Sequence, residues 1–314
     1  MVVLIICVYT YYQDNEVILM TRLTTLQKRE LAKLLRVPVR YRELKLVLLA
    51  YMPKTRYRRL ASFEAALESD RVLHRLDLSA ETGRTTALYS SVAPDSWSAY
   101  QVARALFPSG YFCNMTSIYY HSLTNQVPSR IYVGVETTRE KDQLRARAVV
   151  LSDHAIFEAF VQPHRVSKHT YRFRENEITI TERVGRKCIG VETVRGSNRV
   201  CPKGARVTCL ERALIDAVVH PQYNGGLGTV IEILRAGLPR VNQRRFLDLY
   251  DKLAYVYPYW QAIGFLCEKM GFSGMAAAIA RRFTPKNKFY LDHLAKTSWE
   301  FDPKWQIHYP KGIL

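Results

Sequence analysis

Apolar positions recur with two periods along the chain, and the change from one to the other marks out its elements. Thr24 with Gln27 three residues on has the form of a capping box, and Leu31, Leu34 and Leu35 form the apolar stripe of a helix behind it. A second helix follows Val39 and Arg40, with Leu44, Val47, Leu48 and Tyr51 at i, i+3, i+4 and i+7, and Pro53 ends it. A third helix begins near Thr55, with Leu60, Phe63 and Leu67 inward. The period then shortens to two. Residues 72–78 and 85–89 read as strands joined through residues 79–84, with Gly83 supplying the turn.

Residues 91–98 carry a proline among turn formers and mark a boundary. Beyond it, residues 100–106 and 115–123 read as helices, and Ile131, Val133 and Val135 alternate as in a strand. Residues 145–151 lead to Ser152, the N-cap of a helix carrying Ile156, Phe157 and Phe160. Strand-like runs follow at 171–174, 178–181, 188–191 and 206–208, with a hairpin turn at Glu175-Asn176 between the first two. Helices start at 208, 230, 246 and 257, with Gly237 and Gly271 as C′ residues, and short strands near 289–291 and 305–307 close the chain. The expected class is α+β, with helices grouped after strands. The expected division is an N-terminal extension over 1–20, a winged helix-turn-helix over 21–91, and a larger mixed domain over 92–314.

Residues 208–228 are the most informative stretch. Thr208 and Glu211 have capping-box spacing, and Leu210, Leu214 and Val218 mark a buried face. Asp216 falls inside that apolar run, where an unpaired carboxylate is costly, so Arg212 one turn earlier is its natural partner. Pro221 stops the helix, and Asn224-Gly225-Gly226 permits a positive-φ backbone before a next helix at Thr229.

Charge adds a partner to this picture. The net charge is +18 over 314 residues, which points to a polyanion, most simply nucleic acid. Residues 21–91 hold 15 Lys and Arg against 7 Asp and Glu, roughly twice the charge density of residues 92–314. Three helices followed by a two-stranded ribbon is the order of a winged helix-turn-helix, whose recognition helix presents its N-terminal residues to the major groove. Here those residues are Lys54, Arg56, Tyr57, Arg58 and Arg59. Arg84 at the hairpin tip is placed for a minor groove, and Arg40, Arg42 and Arg75 for flanking phosphates. Cations at a helix N-terminus oppose the helix dipole, a conflict that an external polyanion relieves.

The chain shows little chemistry. Cys7, Cys113, Cys188, Cys201, Cys209 and Cys267 have no CxxC spacing, so no zinc site and a reduced cytoplasmic chain are the expectation. Gly225-Gly226-x-Gly228 lacks the Lys-Ser/Thr of a phosphate loop, and Glu43-x-Lys45 has no positioned acidic partner. Asp216, Glu211 and Glu268 read as caps and ion pairs, and His121 as a structural histidine. No cofactor, metal or catalytic residue is expected. Residues 1–12 are almost all apolar yet lack a basic n-region and a cleavage site, and they are shorter than the roughly 17–25 residues of a membrane helix. They suit a β-strand, or an over-extended start with Met20 opening the chain. No membrane partner is expected.

Three blocks of residues carry a resemblance. The first is Leu210-Glu211-Arg212-Ala213-Leu214-Ile215-Asp216 with His220-Pro221-x-Tyr223-x-Gly225-Gly226. The second is Gly110-Tyr111-Phe112 with Tyr119-Tyr120-His121-Ser122-Leu123-Thr124-Asn125-Gln126-Val127-Pro128 and Arg130-Ile131-Tyr132-Val133. The third runs from Tyr257-Pro258-Tyr259-Trp260-Gln261 to Gly264-Phe265, with Phe289-Tyr290-Leu291 and Trp305-x-Ile307-x-Tyr309-Pro310 after it. In this order, from about residue 98 to the C-terminus, they resemble the AbiEi family of type IV abortive-infection antitoxins. The resemblance implies a winged-helix antitoxin that represses its own operon, bound to promoter repeats as paired copies. It implies a functional partner, a nucleotidyltransferase-like toxin countered without a stable complex. The residues it carries over are Glu211, Arg212, Asp216, Tyr223, Gly225, Gly226, Tyr257, Gln261 and Gly264. Two other functions remain open on the residues alone: a stand-alone regulator with a dimerisation or ligand-sensing domain, and a phage-defence nuclease.

Overall fold

Thr24 opens the first helix as its spacing predicts. Its hydroxyl accepts from the Gln27 amide while the Gln27 side chain accepts from the Thr24 amide, so α1 (Thr25–Leu34) starts with two donors satisfied. The structure, a computed structural model, describes residues 23–137, 151–184, 187–196, 200–296 and 298–313. The apolar segment at 1–20 and the run at 145–150 lie outside the described residues. The chain is mixed α+β and divides into two units, Met1–Pro108 and Ser109–Leu314.

In the first unit α1 is followed by β1 (Val39–Arg40), α2 (Tyr41–Tyr51), α3 (Leu60–Ser69), β2 (His74–Ser79), β3 (Thr85–Ser90) and α4 (Ala99–Leu106). The strands form one antiparallel sheet in the order β1-β3-β2, with Val39 opposite Tyr89 and Leu76 opposite Leu88. Leu31, Leu44, Leu48, Phe63 and Leu67 are fully buried at its centre. Those five side chains are where the helical periods meet, each removed from water at about 1.5–3 kcal/mol.

Several expectations change here. Leu34 is 59% exposed: Leu31 and Leu35, a full turn apart, complete the buried stripe without it. Helix α3 starts at Leu60, not near Thr55. Pro53 lies in a short 3-10 turn, Met52–Lys54, and the Thr55 hydroxyl donates to the Met52 carbonyl 2.7 Å away, closing that turn rather than capping a helix. Val39 and Arg40 are a third strand of the sheet. The stretch read as a boundary is docked. Ser90 and Ser91 hydroxyls donate to the Leu35 and Ala32 carbonyls at 3.0 and 2.7 Å, satisfying the end of α1. Trp97 is buried, its indole N–H on the Val92 carbonyl at 2.8 Å. The first unit therefore continues past residue 91 through α4, whose Ser98 and Gln101 form a second capping box.

The second unit is built on a six-stranded mixed sheet in the order β6-β7-β5-β4-β9-β8. These strands are β4 (Tyr111–Phe112), β5 (Arg130–Thr137), β6 (Thr170–Phe173), β7 (Asn176–Val184), β8 (Val191–Thr193) and β9 (Arg206–Thr208). The central β5 runs parallel to β7 from Arg130 opposite Glu177 to Thr137 opposite Val184, and antiparallel to β4. Helices α5 (Asn114–Tyr120) and α6 (Asp153–Val161) interleave with the strands, and α7 (Leu210–Val219), α8 (Gly226–Gly237), α9 (Gln243–Leu253), α10 (Tyr259–Lys269) and α11 (Ser273–Arg282) follow them. Three short strands close the unit: β10 (Phe289–Tyr290), β11 (Glu300–Asp302) and β12 (Ile307–Tyr309). Every residue of α7 from Glu211 to Val219 is buried, so this helix is the centre of the unit's core.

The cap of α7 differs from expectation. Thr208 closes strand β9, paired opposite Val191, and its carbonyl takes a 2.7 Å hydrogen bond from His121, so the ladder holds it out of the N-cap position. Cys209 is the N-cap, and Glu211 pairs with Arg245 instead. Gly225 and Gly226 have φ of 81° and 84°, as the turn requires, and α8 starts directly from them rather than at Thr229. Gly237 is not a C′ residue: its φ is −92°, and a Cβ there would lie 2.6 Å from the Leu214 side chain. It is a close-packing point between α8 and α7. Gly271, with φ of 85°, does follow the end of α10. The 174–176 turn is centred on Arg174 and Glu175, because Asn176 already pairs with Phe173. Residues 187–190 form a turn ahead of β8, and α11 and β11 had no counterpart in the pattern.

Candidate nucleic-acid interface

The loop between α2 and α3 gathers Lys54, Arg56, Arg58 and Arg59, all exposed. Local bonding fixes its course. The Gln27 side-chain amide donates to the Lys54 carbonyl at 2.7 Å, tying the loop to the start of α1. The Tyr57 backbone amide donates to the Thr55 hydroxyl at 3.2 Å, and its ring stacks on Phe63 with centroids 5.2 Å apart. Tyr57 is thus an anchor whose ring turns toward the core, while the arginines on either side face water. Arg59 is the N-cap of α3 without a side-chain cap bond. The cluster lies ahead of the first turn rather than within it, so the helix's free N–H groups and the guanidinium groups both attract anions at one place.

Acidic side chains of this unit are largely engaged elsewhere. Glu30 accepts from the Tyr51 hydroxyl at 2.6 Å, Asp70 pairs with Lys28 at 2.9 Å, and Glu43 with Arg40 at 3.4 Å. Asp77 pairs with Arg75 at 3.1 Å, and that guanidinium also lies 5.9 Å from the Tyr89 ring centroid. Arg40 and Arg75, expected as phosphate contacts, are therefore paired within the unit. Among the described residues Arg42, Arg58, Arg59 and Arg84 pair with no carboxylate. Arg84 is exposed on the turn between β2 and β3, where its carbonyl accepts from Ala80 at 2.8 Å. The exposed positions of α3 are Ala61, Ser62, Ala65, Glu68 and Ser69, small side chains apart from Glu68.

No family model matches the chain, and none of the curated proteins does. Among solved structures, the crystal structure of the RV2827C protein from Mycobacterium tuberculosis aligns with a TM-score of 0.49 and 14% identity, over 92% of this chain and 93% of that chain.

The residues singled out in the second unit divide into a buried lattice and the wall of a cavity. Asp216 is fully buried and accepts from Arg183 at 2.7 Å, Arg212 at 3.0 Å and the Tyr255 hydroxyl at 2.9 Å. Burial pushes its carboxyl up, and the two guanidinium groups more than reverse this and hold it well below the usual range. Arg183 also donates to Asn114 at 3.1 Å, and Arg212 to the Ile189 carbonyl at 2.5 Å. The expected Arg212–Asp216 pair is present. Arg183 and Tyr255 were not foreseen, although the period-two run Thr179, Thr181, Arg183 on β7 was the available signal. The Gln261 amide donates to the carbonyls of Asn287, Trp305 and Gln306 at 3.1, 2.8 and 3.2 Å, pinning the last strands to α10. Gly264 lies against the Trp305 ring, which leaves no room for a Cβ.

Tyr223 and Tyr257 line a cavity of about 810 Å³, together with His220 at the end of α7. Burial lowers His220 to about 3, with Arg183 and Arg212 acting in the same direction and Asp216 against it. Below about pH 6.5 the unfolded chain takes up a proton that folded His220 refuses, so stability is lost as pH falls from about 6.5 towards 3. Asp216 adds its own loss further down, as the unfolded carboxyl protonates. Urea unfolding of the second unit at pH 7 and pH 5 is expected to differ by about 2 kcal/mol through His220. His220→Gln should remove that share of the difference; an unchanged difference would show that the imidazole is not held neutral.

Proposed function

We propose that the chain is a DNA-binding antitoxin that represses its own operon. The single observation that carries the DNA part is the exposed Arg58 and Arg59, which pair with no carboxylate among the described residues, beside the exposed Lys54 and Arg56 immediately ahead of α3. The order helix, strand, helix, helix, strand, strand with a β1-β3-β2 sheet supports reading the first unit as a winged helix-turn-helix. In that reading α3 enters the major groove. Its small outward residues Ala61, Ser62 and Ala65 permit close approach, and the arginines ahead of it grip phosphates. Arg84 reaches the adjacent minor groove from the β2–β3 turn, and Arg42 a flanking phosphate.

The antitoxin part rests on the resemblance of the second unit's motifs to the AbiEi family. It makes the functional partner a nucleotidyltransferase-like toxin encoded beside this chain, in a system of phage defence. Glu211, Arg212, Asp216, Gly225, Gly226, Gln261 and Gly264 serve that unit as packing and pairing residues, and Tyr223 and Tyr257 face its cavity. No helix among the described residues is long and apolar enough to cross a membrane. A second reading, a regulator with a sensing domain and no toxin, is favoured by that same cavity.

Footprinting of the purified chain on the promoter of its own operon tests the first part, and co-expression with the adjacent gene tests the second. Protection of spaced repeats and rescue of growth are the expected results. Uniform binding to any duplex at physiological salt removes the repressor; protection of repeats without rescue leaves the regulator in its place.

A further inference from the structure

The cavity in the second unit has features that neither DNA binding nor the antitoxin reading uses. Its volume of about 810 Å³ is of the size that encloses a small organic molecule. One wall is aromatic. Phe160 stacks on His293 with centroids 4.5 Å apart and interplanar angle 27°, and Tyr257 meets Phe160 edge-on at 5.4 Å. Tyr259 stands across Tyr257 at 6.2 Å and 80°. Such faces receive a flat ring in offset or edge-on geometry.

Several of the polar groups lining it are uncharged and unpartnered. Among the described residues the Tyr257 and Tyr259 hydroxyls and the His220 imidazole make no hydrogen bond, and the Gln222 side-chain carbonyl is buried without one. Burial keeps His220 neutral at physiological pH and drives the Tyr259 hydroxyl far above its usual range, so both are neutral partners. Of these groups only the Gln222 carbonyl is fully buried, and a buried acceptor without a partner is costly until a ligand's edge supplies one. The fixed charges do not favour an anion. Glu158 and Glu182 line the cavity against Arg165 and Arg183, and Arg183 is already committed to Asp216. The four charges sum to zero, so a phosphate gains no net attraction there.

We infer that this cavity is a receptor site for a free nucleoside: a planar nitrogen heterocycle carrying donors and acceptors on its edge, with an uncharged sugar and no phosphate. The base lies against the Tyr257 ring, and its edge meets the Tyr259 hydroxyl, His220 and the Gln222 carbonyl. Glu158 and Glu182 are offset by Arg165 and Arg183, so the site offers a 5′-monophosphate no net gain. This inference stands apart from DNA binding and from the toxin, because every residue it uses belongs to the second unit.

Isothermal titration of the full chain with adenosine, guanosine, cytidine, uridine and their 5′-monophosphates tests it. At least one nucleoside should bind with Kd on the order of 10–100 μM, and its monophosphate no more tightly. Tyr259→Phe and Gln222→Ala, each verified to melt like the parent, should weaken that nucleoside about five- to tenfold, the range of one lost neutral hydrogen bond. No binding below about 1 mM by any of the four nucleosides overturns the proposal. So does tighter binding of the monophosphate, or affinity unchanged in both variants. Binding of a single-stranded oligonucleotide without any free nucleoside would also overturn it, since the ligand would then be nucleic acid. Promoter binding that fails while nucleoside binding persists leaves this inference intact and removes the repressor.

Discussion

Asp216→Ala should unfold the second unit at a denaturant concentration far below the parent's, a loss of about 3–5 kcal/mol. The sequence alone supports about 1–3 kcal/mol, because it offers one orphaned partner, Arg212. The structure offers three. Arg183 and Arg212 both end on the Asp216 carboxylate, and the Tyr255 hydroxyl donates to the same oxygen as Arg183. Removing the carboxylate leaves two guanidinium groups facing each other, with side-chain exposures of only 12% and 2%. Neither can rotate into water without breaking a second bond, to Asn114 or to the Ile189 carbonyl. Asp216→Asn is the informative companion, keeping shape and acceptor while deleting charge; it should lose less than the alanine variant but remain below the parent. Equilibrium urea unfolding, followed by tryptophan fluorescence, reads both. If alanine costs less than about 1 kcal/mol, the carboxylate does not hold the two arginines together.

How much of this was legible in the sequence depends on how local each cause is. Thr24 with Gln27 and Ser98 with Gln101 are capping boxes, set by side chains three residues apart; the first was foreseen. The buried stripe Leu44, Leu48 and Tyr51 was equally readable, since helical period alone fixes it. Thr208 with Glu211 has the same local pattern as Thr24 with Gln27, yet it fails. A strand partner, Val191, and a histidine, His121, far away in sequence claim Thr208 first. Long-range pairing overrides local propensity there, and it does so again at Val39 and Arg40, which become a strand only because Tyr89 and Leu88 lie opposite. The start of α3 was misplaced for a different reason. Thr55 looks like a cap, but its hydroxyl is used to close the turn after Pro53. Of the site residues, the Arg212–Asp216 pair was visible at i, i+4, whereas Arg183 lies on another element, where period two fixes its face of β7 but not its partner. The cavity was invisible for the same reason: Phe160, His220, Tyr257 and His293 come together only in space.

Replacing Arg58 and Arg59 together with alanine should weaken promoter binding about 25-fold at 0.15 M salt and lower the slope of log affinity against log salt by about two. The figure follows from counterion release. Each phosphate contact contributes a slope of roughly 0.9, and at this salt about fivefold in affinity. Both side chains are exposed and pair with no carboxylate among the described residues, so their removal should not move the melting temperature. Arg75→Ala is the control with the opposite logic. Its charge is met by Asp77 and its guanidinium is close to the Tyr89 ring, so affinity should change less than about threefold. Fluorescence anisotropy of a labelled promoter duplex across a salt series measures all three chains on one scale. A contact that reads bases as well as phosphates would weaken the promoter more than a scrambled duplex; a pure phosphate contact weakens both alike. Because the arginines stand ahead of α3 rather than on its outer face, equal weakening is the expected result, with sequence choice left to Ser62 and its small neighbours. Should the double variant bind as tightly as the parent with the same salt slope, the loop before α3 is not where this protein meets DNA.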